Sequence, residues 1–141
     1  MSYATRQDLI DRFGADEIAA LDAGTGPETY PRVKAAIADA TAEIDAVLSA
    51  RWDLPLPAGD YPLLTAIASD IARARLYDDA APETVRDRAT RARAKLRTIP
   101  EGRYQLVTAA GAEAPARQQD DAAGQICGPR PRFGRDTLEG L

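Results

Sequence analysis

At 141 residues the chain fits one domain with a single modest core. Hydrophobic residues make up 45% of it, but many are alanine and only eight residues are aromatic, a composition that favours helix and a thin core. The net charge of −4 argues against generic nucleic-acid affinity, the single Cys127 excludes a disulfide within the chain, and the absence of histidine removes the commonest general base and transition-metal ligand.

In chain order, Thr5 is a good N-cap, and Asp8 three positions on suits the exposed amides of a first turn. Leu9, Ile10 and Phe13 give a short apolar face that Gly14 ends. Asp16 can cap a second short helix carrying Ile18 and Leu21, before the loop composition of residues 23–27. Pro31 suits a first helical turn, and Val33, Ile37, Ala40, Ile44, Val47 and Leu48 then recur at helical spacing to about Arg51.

The run Trp52-Asp-Leu-Pro-Leu-Pro57 breaks that helix into an extended apolar crossover, with Trp52 expected to plug one end of the core. Pro62 opens the next helix, in which Leu64, Ile67, Ile71 and Ala74 line one face, and Asp78-Asp79 ends it. Pro82 starts a last helix with a narrow stripe of Val85, Ala89, Ala92, Leu96 and Ile99, closed by Pro100-Glu-Gly102. Tyr104–Val107 reads as a short strand or an extended segment docked on the bundle. The core expected from these stripes includes Phe13, Ile37, Ile44, Trp52, Ile67, Ile71 and Leu96.

From Thr108 to Arg132 the composition shifts to Ala, Gly, Gln, Pro and charged residues, with Ile126 the one large aliphatic. Such a segment buries too little to offset its ordering entropy, so it should be mobile in a free monomer unless a partner holds it. It is followed by Phe133-Gly-Arg-Asp-Thr-Leu-Glu-Gly-Leu141, whose spaced apolar residues suit docking on another subunit or protein.

Charge is unevenly spread. Residues 1–62 hold 5 basic and 11 acidic side chains, a net of −6, whereas residues 83–103 hold 7 and 3, a net of +4. Arg86, Arg93 and Arg97 recur close to helical spacing and can share one side of the last helix, facing phosphates or an acidic neighbour. No aromatic residues interleave them, so sequence-specific recognition is not indicated. Gly24-x-Gly26 lacks the third glycine and preceding strand of a nucleotide loop. The carboxylate pairs Asp39/Glu43, Asp78/Asp79 and Asp120/Asp121 sit on a polar helix face or in caps and loops, and read as structural. With no metal or cofactor motif, an enzyme is not expected. No apolar run approaches the ~20 residues of a membrane span, and no signal peptide opens the chain, so a soluble protein made in a cytoplasm is expected.

Five pieces in this order carry a resemblance: Tyr3-Ala-Thr-Arg-Gln-Asp-Leu-Ile-Asp-Arg-Phe-Gly14, Ala42-Glu-Ile-Asp45, Arg51-Trp-Asp-Leu-Pro-Leu-Pro57, Asp70-Ile-Ala-Arg-Ala-Arg-Leu-Tyr77 and Phe133-Gly-Arg-Asp-Thr-Leu138. Together they resemble the small neck proteins, or head–tail connectors, of Mu-like tailed bacteriophages and prophages. The resemblance covers residues 3–104 and the last nine, with Trp52 where tyrosine is expected and Tyr61 where a small aliphatic is more usual. It implies a virion protein, made in the host bacterial cytoplasm, that joins a twelve-fold ring beneath the portal, extends the DNA channel and presents a surface to the next neck or tail-completion protein. Its partners would be the portal protein, neighbouring copies and, non-specifically, the passing DNA.

The fold expected is all-α: a small bundle of three main helices plus short N-terminal helices over residues 1–107, and an extended C-terminal arm over residues 108–141. Phe133, Arg135, Leu138 and Leu141 are the expected docking anchors of the arm. The basic face of Arg86, Arg93 and Arg97 is the candidate contact with the DNA channel or an adjacent subunit. The alternative is a small cytoplasmic DNA-associated or regulatory protein that uses the basic helix over residues 83–99; a hydrolase is a distant third.

Overall fold

A computed structural model describes residues 1–23 and 32–117. They form a small all-α bundle of five α-helices: α1 (Arg6–Phe13), α2 (Ala15–Asp22), α3 (Arg32–Leu48), α4 (Pro62–Tyr77) and α5 (Glu83–Thr98). The long pair α3 and α4 runs antiparallel, since Arg32 at the start of α3 reaches the Leu76 carbonyl at the end of α4. A 3-10 turn over Asp78–Ala80 then reverses the chain and lays α5 on the other side of α4.

Local sequence accounts for most of the boundaries. Thr5 caps α1 as expected: the Asp8 amide donates to its hydroxyl at 3.2 Å, while the Thr5 amide donates to the Asp8 carboxylate at 2.7 Å. Gly14 ends α1 at φ +97 and is at once the N-cap of α2, a conformation that residues with a Cβ rarely adopt. Asp16 therefore lies inside α2 rather than capping it, because the glycine turn allows the second helix to start two residues earlier, with Gly14 as its N-cap. Pro62 is in the first turn of α4. α3 ends at Leu48 rather than Arg51, its last turn unwinding over residues 49–51 to bring Trp52 inward. Pro31, at its other end, lies outside the described residues.

The core follows the predicted stripes. Ile37, Ile44, Trp52, Ile67, Ile71 and Leu96 are all buried. Phe13 is the exception, placed at the edge of the core and only half-buried. The guanidinium groups of Arg73 and Arg88 lie 4.4 and 5.5 Å from its ring centroid, so α4 and α5 cover the ring with cations instead of aliphatics.

The largest departure from expectation is the segment after α5. Leu106 is buried, Val107 pairs with Glu113 in an isolated antiparallel bridge, and Ala114 is buried in the core. The Trp52 indole N–H donates to the Ala114 carbonyl at 3.2 Å, and the Arg117 amide donates to the Arg51 carbonyl at 2.7 Å. Gly59 permits this return path, since a Cβ there would meet the Thr108 methyl at 2.8 Å. The compositional argument for mobility thus does not hold for residues 108–117. They are held by backbone groups, the Trp52 indole and the Arg117–Asp53 ion pair of the chain itself.

Candidate functional site

Two features of the surface are organised beyond what the core requires. The first is built on α3. Its buried stripe continues outward past Ile37, and the N-terminal segment lies alongside, tied down where the Tyr3 hydroxyl donates to the Asp45 carboxylate. Burial and that bond together push the Tyr3 hydroxyl well above the ordinary tyrosine range. Between segment and helix runs an open groove of about 760 Å³ with a mostly apolar lining that includes Ala4, Val33, Ile37, Ala38 and Thr41. The Thr41 hydroxyl is buried and has no hydrogen-bond partner among the described residues. Charges of both signs rim the groove: an Arg6–Asp22 ion pair at 3.6 Å and exposed Lys34 near one end, Asp45 near the other.

The second feature is α5. Its arginines divide into those used internally and those left outward. Arg93 makes a bidentate contact with Glu43 of α3, at 2.6 and 3.2 Å, and Arg75 of α4 reaches the same carboxylate at 3.0 Å. Arg88 pairs with Asp70 at 3.3 Å. Arg86 and Arg97, which at 3.6 residues per turn share a strip with Arg93 roughly a quarter-turn from the buried stripe, are exposed and carry no ion pair among the described residues. The three predicted basic residues therefore do share a face, but its middle member is neutralised. Charge reversal separates the two roles: Arg93→Glu should lower stability by about 1 kcal/mol, discounted for partial exposure, while Arg86→Glu and Arg97→Glu leave the unfolding midpoint unchanged. Denaturant titration of the three variants reads this directly.

Glu43 is thus the carboxylate where three helices meet, and Glu17 of α2 is its counterpart. Arg73 holds Glu17 at 2.7 and 2.9 Å and the Tyr77 hydroxyl donates to it at 2.9 Å. Hydrogen bonds from Arg73 and Arg93 are the main cause that lowers the pKa of Glu17 and Glu43 respectively below the ordinary carboxylate value. A depressed folded-state pKa means that both contacts contribute fully above the unfolded value near 4.5 and are lost as pH falls through the folded values. Thermal melts should therefore be level from neutral pH down to about 5 and drop below it, and the double variant Glu17→Gln, Glu43→Gln should flatten that drop.

The pairing of Asp39 and Glu43 as polar-face residues missed this hub, since no periodicity reveals which arginine of another helix will meet a given acid. The groove was legible only in part, as an apolar stripe on α3 with more members than one neighbour can cover. Among the described residues no group of three or more His, Cys, Asp or Glu could hold a metal, and no helix is long and apolar enough to cross a membrane. The docking anchors Phe133, Arg135, Leu138 and Leu141, with Cys127, lie outside the described residues.

Family comparison adds what geometry alone does not. The family model described as Bacteriophage Mu, Gp36 matches residues 3–123, most of the chain. The chain belongs to this family. The Gp36 match includes both the groove and α5, and it runs past Tyr104 through the return segment, a stretch for which the sequence motifs carried no resemblance. As a member of the Gp36 family the chain is a Mu-like phage protein. No curated protein matches it.

Proposed function

We propose that this phage protein is a structural component of the virion neck: a subunit of a ring under the portal that extends the DNA channel and docks the next neck or tail-completion protein. The observation that carries the reading is membership of the Gp36 family across residues 3–123, on a chain that continues into the Phe133–Leu138 motif. The helical bundle supports it by offering distinct surfaces to several partners at once: an apolar groove on α3, a basic strip on α5 and a tail anchored at Arg117. In this reading the portal, neighbouring copies in a twelve-fold ring and the passing DNA are the partners, the chain binds and assembles without turnover, and it is made in the host cytoplasm before joining the virion.

Electron microscopy of particles made with the gene deleted tests the reading. Filled or leaking heads beside separate, complete tails are expected; joined, DNA-filled particles would exclude an essential connector. A second reading, a DNA-associated or regulatory protein, draws on the exposed Arg86 and Arg97. It requires salt-dependent DNA binding by the isolated protein, whereas the neck reading expects little.

A further inference from the structure

We propose that the outward face of α5 is a two-fold interface, on which the α5 of a second copy lies antiparallel in the free protein. The inference stands apart from the neck reading, since it rests on the order of charges along one helix.

The charges of α5 are sorted by sign. Its acids, Glu83 and Asp87, lie in the first five residues, and from Arg88 to Thr98 it carries five bases and no acid. The bundle neutralises two of the five: Arg93 bonds to Glu43 and Arg88 pairs with Asp70. Arg91, Lys95 and Arg97 are exposed and make no ion pair among the described residues, and neither do the exposed Glu83 and Asp87. The helical repeat sets Glu83, Asp87, Thr90 and Ala94 in one strip opposite the buried stripe of Val85, Ala89, Ala92 and Leu96. Arg91 lies on one flank of that strip and Arg97 on the other. The whole strip is exposed, on the side of α5 that faces away from α4.

A helix sorted in this way is complementary to itself only when reversed. Parallel copies in register would set acid against acid and base against base. With the axes antiparallel and Thr90 opposite its own counterpart, Glu83 comes level with Arg97 of the second copy, because each lies seven residues from Thr90. Asp87 comes within about 3 Å, measured along the axis, of Arg91 of the second copy. Each pair falls on one side of the seam, and the two-fold axis repeats both. The small side chains of Thr90 and Ala94 at the centre let the axes approach toward the ~8 Å lower limit for packed helices. Duplex DNA, by contrast, would meet the two acids of the same strip. A contact along about 24 Å of helix, without large apolar side chains, lies below the ~1,200 Å² of standard interfaces, so the dimer is weak and held by charge.

The test is sedimentation equilibrium of the full chain at up to about 1 mM, in ~50 and ~500 mM salt. A dimer is expected at low salt, weakened about tenfold at high salt. The double variant Glu83→Arg, Asp87→Arg makes the strip wholly basic, and Arg91→Glu, Arg97→Glu makes it wholly acidic. Each alone should be monomeric and folded by circular dichroism, and an equal mixture of the two should restore the dimer. Register is read by oxidation in a Cys127→Ser background. Thr90→Cys should link two copies, whereas Ala94→Cys, about 12 Å from its counterpart along the axis, should not. A monomer at all concentrations in low salt would overturn the proposal, as would either double variant dimerising alone, a mixture that stays monomeric, or equal linking from Ala94→Cys. Species larger than a dimer would replace the two-fold contact with a head-to-tail one. Salt-dependent binding of duplex DNA by a protein that stays monomeric would reassign the bases of α5 to phosphates.

Discussion

Replacing Trp52 by alanine should destabilise the domain by about 3–5 kcal/mol, a large part of the ~5–15 kcal/mol that holds a domain of this size together. The side chain is buried in the same core cluster as Leu48 and Leu56, and its removal leaves a cavity that the surrounding helices fill only in part. It also strands the Ala114 carbonyl, the acceptor of the indole N–H, in the core. Trp52→Phe separates these effects: most packing is retained and only the hydrogen bond is lost, so a cost nearer ~1–2 kcal/mol is expected. Chemical denaturation measures both. Because Trp52 is the one tryptophan of the chain, wild-type emission reports the opening of this site specifically. Equal midpoints for Trp52→Ala and wild type would mean that the return segment 108–117 is not anchored where the structure puts it.

The second large effect is on assembly. Deletion of residues 132–141 should leave helix content and unfolding midpoint unchanged, since the core residues and tertiary hydrogen bonds described all lie at or before Arg117. Neck assembly should nonetheless be abolished, because Phe133, Arg135, Leu138 and Leu141 go with the segment. Circular dichroism checks the first half and complementation of a gene deletion, read as infectious particles, checks the second. Normal particle yield from the truncated gene would reject the tail as a docking element.

How far the sequence reaches depends on the kind of interaction. Features written in consecutive residues were legible: the Thr5–Asp8 cap, the Gly14 break, the Pro62 start and the buried stripes through Ile44, Ile71 and Leu96 all follow from spacing and backbone preference. Features that pair distant residues were not. Nothing in the neighbourhood of Glu43 points to Arg93 fifty positions away, and nothing near Ala114 reveals that its carbonyl serves Trp52. The segment after α5 departs from expectation for the same reason. Its low content of large aliphatics suggests little attachment, whereas residues 108–117 are attached through backbone amides and carbonyls, which every composition contains. Phe13 lies at the core edge rather than within it, which spacing does not show, because an aromatic at helical spacing looks the same whether leucines or guanidinium groups cover it. For the candidate site, the shared face of Arg86, Arg93 and Arg97 was visible in the spacing, but the neutralisation of its centre was not.

The tie between the Arg117 amide and the Arg51 carbonyl has a geometric consequence. It gives the remaining chain a fixed origin on the rigid body, close to the junction of α3 with the crossover, so the departure point of the tail moves with the bundle. In any cyclic arrangement of identical copies, rotation about the axis then sets every such origin at one height and one radius. The points where the tails begin would thus form one evenly spaced circle, at a level fixed relative to the two inherently different faces of such a ring.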